Sequence, residues 1–401
     1  MKTFGTYFVN DKDKPLQYGS VNIINPERRQ LRTQEPKAGI KVNPVFCGFC
    51  GTDFELMRMG RAGKLDAKFP EGESRLINGH EGVVWVPEEN RFAIVLIRGG
   101  NSYDPTRFTE EESYFEYGCD GADGIFCDCN YFNPDMLLHL PKEYENCEKL
   151  PLTLAKRLVF SDPYACAIFQ HERMCDIGVA QNFRVELAKK QCSESLARDI
   201  AYHSTFDKVI VFGLGTTGLF IAHQIRLNHP QAKILFVGRS PESCEKACFA
   251  KEVVEAQYLC SDRITPEETA QNIIEKIGGR ATVFVGASGT NIEHQIAFEH
   301  GVLGCNGIYN SFSLGPKITF DTMPFGFKNQ VILSSINFTK KHMEQAIEIL
   351  CQSRFDELVE LIEKDELTAD PISAYENKIY CKGAPLKTAV IWNSKYIDLE
   401  R

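Results

Sequence analysis

The chain has 401 residues, more than one hydrophobic core usually takes, so two domains are expected. Its 43% apolar and 25% charged content is that of an ordinary soluble protein, and a net charge of −9 leaves no basic face for general nucleic-acid binding. No apolar run approaches the ~18 residues of a membrane span, and the opening "MKTFGTYFVNDKDKP" carries no apolar segment of the signal-peptide kind. The fifteen cysteines are odd in number and scattered, which suits buried thiols in a reducing compartment; a cytoplasmic protein is expected.

Taken in chain order, the first 165 or so residues hold short strand candidates, "GIKVNPVF", "GVVWV" and "FAIVLI", separated by turn-rich stretches. They predict an irregular, mostly β domain. Glu186 to Asp207 has helical polarity without a strong apolar face and reads as an approach to the next unit. The run "KVIVF" (Lys208–Phe212) then enters "GLGTTG", and the apolar-periodic "LFIAHQIRL" follows, a pattern of strand, glycine turn and helix. "AKILFVG" (Ala232–Gly238) is a second strand, after which Ser240 reads as an N-cap with Pro241 at the first helical position. Thr265 and Glu268 frame a capping box that opens a helix ending at Gly278-Gly279, and "ATVFVG" (Ala281–Gly286) is the next strand. This alternation predicts a doubly wound parallel sheet. Beyond it come "VILSS", an amphipathic helix from Lys340 to about Cys351 with Met343, Ala346, Ile347 and Leu350 on one face, and a strand-like "LKTAVIW".

Gly213-Leu214-Gly215-Thr216-Thr217-Gly218 matches the dinucleotide fingerprint, and the helix that opens there offers free N–H groups to a pyrophosphate. An NAD site places Asp or Glu about 20 residues further on, to bind the ribose hydroxyl. Here that point is occupied by Gly238, Arg239 and Ser240. A guanidinium suits a 2′-phosphate, so NADP is preferred over NAD; the bland reading makes Arg239 a solvated residue at a strand end.

Earlier in the chain, "NPVFCGFCGTDFE" holds Cys47 and Cys50, a pair that could give half of a zinc site, a redox couple or nothing. Thirty residues after Cys50, "NGHEG" supplies His80 and Glu81. Thiolate, imidazole and carboxylate are the zinc ligand types, and a catalytic site keeps one position open for substrate. Each residue alone is more readily a structural one; the ordered combination ahead of a dinucleotide motif is not.

On these motifs the chain resembles the zinc-dependent medium-chain dehydrogenase (alcohol dehydrogenase) superfamily, and within it the archaeal-type glucose dehydrogenases. The resemblance runs through "CGTD", "NGHE", "FEYGCDGADGIF" (Phe115–Phe126), "SDPYA" (Ser161–Ala165), "GLGTTG" and "LSSINFTKKHMEQA" (Leu333–Ala346). It implies an α/β protein with a GroES-like, mostly-β catalytic domain over 1–185 and 336–401, around a Rossmann domain over 186–335. It further implies that Cys50 and His80 bind a catalytic zinc, with Glu81 a ligand or immediate neighbour. Asp162 stands in the place of a glutamate that is a direct or water-bridged ligand. Thr52 would contact the substrate hydroxyl and begin a proton relay, and Asp53 would orient the histidine. Glu116 would bind sugar hydroxyls, and Asn337 would sit beside nicotinamide and substrate. Cys47 has no counterpart and reads as a buried strand residue.

The departures also matter. Relatives often carry four closely spaced cysteines for a structural zinc, but "RGGNSYDPTRFTEEESYFE" has none, so one catalytic zinc and no structural zinc are expected. The expected activity is hydride transfer between a sugar or polyol hydroxyl carbon and NADP, in a homodimer or homotetramer, with no nucleic-acid or membrane partner. Two rivals remain: a pathway-specific dehydrogenase of an amino sugar, cyclitol or other secondary alcohol, and a catalytically silent NADP-binding regulator.

Overall fold

The computed structural model describes residues 2–23, 39–58, 68–70, 72–99, 115–145, 147–313, 321–335, 337–381 and 385–400. Residues 100–114, most of the cysteine-free stretch, and Ile336 within the C-terminal signature lie outside the described residues. The chain divides into two compact units, Met1–Ala165 with Thr339–Arg401, and Cys166–Phe338.

The first unit is built on a sheet whose strands run, in order, Leu137–His139, Arg91–Val95, Glu81–Val86, Ile40–Gly48, Lys387–Ile391 and Val359–Ile362, with Asn130–Phe132 also pairing on Ile40–Gly48. The strands foreseen in the first part of the chain are here, and the tail strand lies between Ile40–Gly48 and Val359–Ile362. Val42, Phe46, Val83, Val84, Ile94 and Val390 are fully or almost fully buried, which is why these runs read as apolar without clean alternation. Pro44 has no N–H to give its neighbour, and the register with Glu81–Val86 shifts between Pro44 and Phe46. The amphipathic helix falls at Lys340–Cys351, with Met343, Ala346, Ile347 and Leu350 buried as its spacing required. His342 at its third position accepts the Thr339 backbone N–H through Nδ1 at 2.9 Å, so this signature histidine caps a helix.

The second unit carries six parallel strands in the order Gln257–Cys260, Lys233–Gly238, Lys208–Phe212, Ala281–Gly286, Leu303–Ser311 and Val331–Ser334. This is the doubly wound order, whose switch point lies between Lys208–Phe212 and Ala281–Gly286. The Thr265–Glu268 capping box forms as foreseen, with Glu268 N donating to Thr265 Oγ1 at 3.2 Å and Thr265 N to Glu268 Oε2 at 3.0 Å.

Two local expectations fail. The helix after the second strand starts at Glu245, not Pro241, because residues 241–244 close a turn, Cys244 N donating to Pro241 O at 3.0 Å. The Tyr258 hydroxyl also holds the Ser240 carbonyl at 2.7 Å. The helix Ser161–Lys190, 30 residues long, was not foreseen. Its first eight residues are all buried, so no polar face marks the 3.6-residue period there. No helix among the described residues is long and apolar enough to cross a membrane.

Candidate functional site

Cys50 ends the loop after strand Ile40–Gly48 and precedes the short helix Gly51–Met57. Asp53, fully buried, turns back to accept the Cys50 backbone N–H through Oδ2 at 2.9 Å, which fixes the loop at its cysteine. Opposite, Gly79 at φ +82° leads into Glu81–Val86, where Glu81 pairs across from Gly48. The donor atoms of Cys50, His80 and Glu81 therefore converge, all within 4.8 Å of one another. Thr52 Oγ1 lies 3.6 Å from the Cys50 sulfur and is partly exposed. Cys47 points elsewhere: it is fully buried in the strand, its thiol 3.7 Å from the Ile125 carbonyl.

Asp53 Oδ1 is buried without a hydrogen-bond partner among the described residues and lies 4.0 Å from His80 Nδ1. Burial pushes the Asp53 carboxyl above its ordinary value, with His80 opposing. Burial alone would lower the His80 pKa, but the neighbouring Cys119 and Cys50 raise it well above the usual histidine range. A soft thiolate, an imidazole and a carboxylate facing one point form a donor set that fits zinc.

Three residues at this site had no expected role, although Cys119 lies within "FEYGCDGADGIF". Cys119 Sγ stands 3.3 Å from His80 Nδ1, and its donor atom clusters with those of His80 and Glu116 within 4.8 Å. The turn from Glu116 to Ala122 puts it there. Gly118, at φ +75°, packs on Gly79 so closely that a Cβ would come 2.6 Å from the Gly79 carbonyl oxygen. Burial pushes the Cys119 thiol up to about 12, with His80 opposing. Lys387 forms a buried ion pair with Glu81 and donates to the Phe49 carbonyl at 3.1 Å. Burial would lower its pKa, but Glu81 more than reverses this, so the lysine is charged. Arg98 lies 2.9 Å from Asp162 and 3.3 Å from Glu116. Asp162, held by Arg98, is not among the residues that cluster as donors around His80. A lysine at the start of a strand and an arginine in "LIRGG" give no sequence signal of this kind; only the sheet pairing reveals them.

In the second unit, Gly213 adopts φ +120°, and a Cβ there would come 2.7 Å from the Ala287 carbonyl carbon. The helix Thr216–Asn228 begins with Gly215 as its N-cap, and a Cβ at Gly215 would meet no atom within 4 Å. The open backbone and positive helix end fit a pyrophosphate, with Thr216, Thr217 and Gly218 forming the first turn. At the end of the adjacent strand, Gly238 is followed by exposed Arg239 and partly buried Ser240. Asn337 lies near the end of this unit, its backbone N–H 3.2 Å from the Ser335 hydroxyl.

No profile of a known protein family matches the chain. It is 24% identical over 332 residues to glucose 1-dehydrogenase 2 of Caldivirga maquilingensis, covering 78% of this chain and 80% of the relative. It is 23% identical over 375 residues to glucose 1-dehydrogenase of Haloferax mediterranei, covering 89% and 93%. A crystal structure of Haloferax mediterranei glucose dehydrogenase, in complex with NADP, zinc and gluconolactone, superposes with a TM-score of 0.68 at 17% identity, covering 97% of this chain and 99% of that one. These likenesses bear out the resemblance and the two-domain α/β fold read from the sequence.

Proposed function

We propose that the chain is a zinc-dependent oxidoreductase that transfers hydride between a sugar or polyol hydroxyl carbon and NADP. The observation that carries this reading is the convergence of Cys50, His80 and Glu81 beside a partly exposed threonine hydroxyl. Its relatives, named glucose dehydrogenases, support the substrate class.

Cys50 and His80 would hold a single catalytic zinc, with Glu81 as ligand or neighbour and Asp162 outside the set. Zinc, when bound, supplies Lewis-acid polarisation that brings a hydroxyl pKa towards neutrality. The chain's own residues do the rest. Asp53 and Cys119 both face His80 Nδ1, so the ring proton stays on that nitrogen and the Nε2 lone pair is left for the metal. Thr52 Oγ1 takes the proton released by the substrate hydroxyl and passes it towards solvent. Lys387 balances the charge of Glu81, and Glu116, steadied by Arg98, orients sugar hydroxyls. Gly213, Gly215, Thr216, Thr217 and Gly218 seat the pyrophosphate, Arg239 and Ser240 meet the 2′-phosphate, and Asn337 lies beside the nicotinamide. We assign the protein to the cytoplasm and to a homodimer or homotetramer.

One observation favours a second reading, a dehydrogenase for an amino sugar, cyclitol or other secondary alcohol. Glu116 shares its arginine with Asp162, so the sugar-binding carboxylate is not disposed as a lone acceptor. A panel of aldoses, polyols, cyclitols and amino sugars, run with NADP and NAD in parallel on zinc-loaded protein, decides between them. Turnover of aldoses or polyols with NADP supports the first reading. Turnover of cyclitols or amino sugars alone supports the second, and no turnover at all in zinc-replete protein leaves the silent regulator.

A further inference from the structure

A second cluster of metal donors lies wholly within the other unit. His171 and Cys175 are one turn apart on the helix Ser161–Lys190, so their side chains share a face. His229 follows the helix Thr216–Asn228 and is fixed there by its backbone, its N–H donating to Ile225 O at 2.7 Å and its carbonyl accepting from Ala232 at 3.0 Å. The three side chains meet: His171 Nε2 is 3.0 Å from His229 Nε2, Cys175 Sγ is 3.5 Å from His171 Nε2, and all three donor atoms lie within 4.8 Å of one another. All three residues are buried, His229 at 3% exposure.

Part of this arrangement is hydrogen bonding: the two imidazoles meet Nε2 to Nε2 and share one proton, and the Tyr202 hydroxyl bonds the Cys175 thiol. The same three donors also suit a metal ion. Zn–N of ~2.05 Å and Zn–S of ~2.3 Å in tetrahedral geometry place two nitrogens about 3.3 Å apart and nitrogen from sulfur about 3.6 Å, so the sulfur spacing of 3.5 Å is already in place and the nitrogen pair at 3.0 Å has only to open slightly.

We propose that His171, Cys175 and His229 form a second zinc site that ties the helix Ser161–Lys190 to the end of the helix Thr216–Asn228. On binding, the Cys175 thiol gives up its proton to solvent, and no redox change occurs. The site owes nothing to the four-cysteine lobe whose absence led to the expectation of no structural zinc, and it is independent of the proposed activity.

The test is metal stoichiometry in the full chain, stripped with chelator and reloaded with zinc or cobalt. Wild type should bind two ions per chain and Cys50→Ala one. In Cys50→Ala, cobalt should give a near-ultraviolet charge-transfer band from thiolate to metal, and Cys175→Ser or His171→Gln added to that background should abolish both band and ion. Far-ultraviolet circular dichroism checks that each variant is folded, and the two independent substitutions guard against a misfolded one. A folded Cys50→Ala protein that binds no metal overturns the second site and leaves the proposed function standing. A wild type whose one ion survives Cys50→Ala but is lost with Cys175→Ser overturns the catalytic zinc instead. An ion in the Cys50→Ala background that survives both Cys175→Ser and His171→Gln overturns the assignment of these ligands.

Discussion

The guanidinium of Arg98 lies 2.9 Å from the carboxylate of Asp162, both less than a tenth exposed, and the pairing engages one of the two acidic side chains, Glu81 and Asp162, expected at the zinc. The same guanidinium reaches Glu116 at 3.3 Å, so one cation answers two carboxylates. Asp162→Asn should therefore keep its zinc at one catalytic equivalent, measured by elemental analysis. Arg98→Gln should lower stability by about 3–5 kcal/mol in urea unfolding, because it takes the guanidinium away from the buried Asp162 carboxylate.

Glu81 and Lys387 form a second buried pair beside the cluster. Removing the lysine alone strands a charge, so Lys387→Met should cost about 3–5 kcal/mol. The double variant Glu81→Gln with Lys387→Met should recover a large part of that loss. A thermodynamic cycle by urea unfolding measures the coupling, and a coupling near zero would contradict the pairing.

The two cysteines of "CGFC" should behave differently. Cys50→Ala should lose catalytic zinc and activity with the fold intact. Cys47→Ala removes only a small buried side chain and should cost about 1 kcal/mol while keeping both. Loss of the catalytic ion in Cys47→Ala would mean that both sulfurs ligate.

Arg239 is exposed at the end of its strand, where an NAD site would carry a carboxylate. Arg239→Ala should raise KM for NADP by roughly 10–100-fold, the worth of about 1.5–3 kcal/mol for a charged hydrogen bond, and leave KM for NAD almost unchanged. Equal effects on both cofactors would place the arginine outside the 2′-phosphate site.

Burial lowers the pKa of His223 to about 4. Unfolded, its pKa returns to about 6.5, so between these values the unfolded chain binds the extra proton and stability rises with pH. The contribution, on the order of 3 kcal/mol, is complete above pH ~6.5 and fades as pH falls towards 4. His223→Gln should flatten the pH dependence of unfolding across that window. An unchanged slope would show that the imidazole is already solvated in the folded state.

Asp53 tests the histidine's orientation. Asp53→Asn should weaken zinc binding by about 10–100-fold, the usual cost of losing a residue that steadies a ligand, while far-ultraviolet circular dichroism stays unchanged. Undiminished affinity in a competition titration would assign the role to Cys119 alone.

Much of this molecule was legible in its residues because the signals are local. The glycine turn at 213–218, the Thr265–Glu268 box and the Lys340–Cys351 face each follow from hydrogen bonds or periodicity within a few residues. Ser240-Pro241 misled because a helix start and a turn share the same residues there, and Tyr258, distant in sequence, favours the turn. The start of the long helix Ser161–Lys190 left no periodic pattern because its first eight residues are buried on all sides.

The sequence by itself determined the fold class, the dinucleotide turn and the trio Cys50, His80 and Glu81, since each rests on spacing along the chain. Only the tertiary structure decided the charges around them. Lys387 reaches Glu81 because two strands some 300 residues apart in the chain lie beside the same partner strand, and Cys119 reaches His80 because Gly118 packs on Gly79. Partners of this kind leave no spacing to read, because packing rather than the chain brings them together.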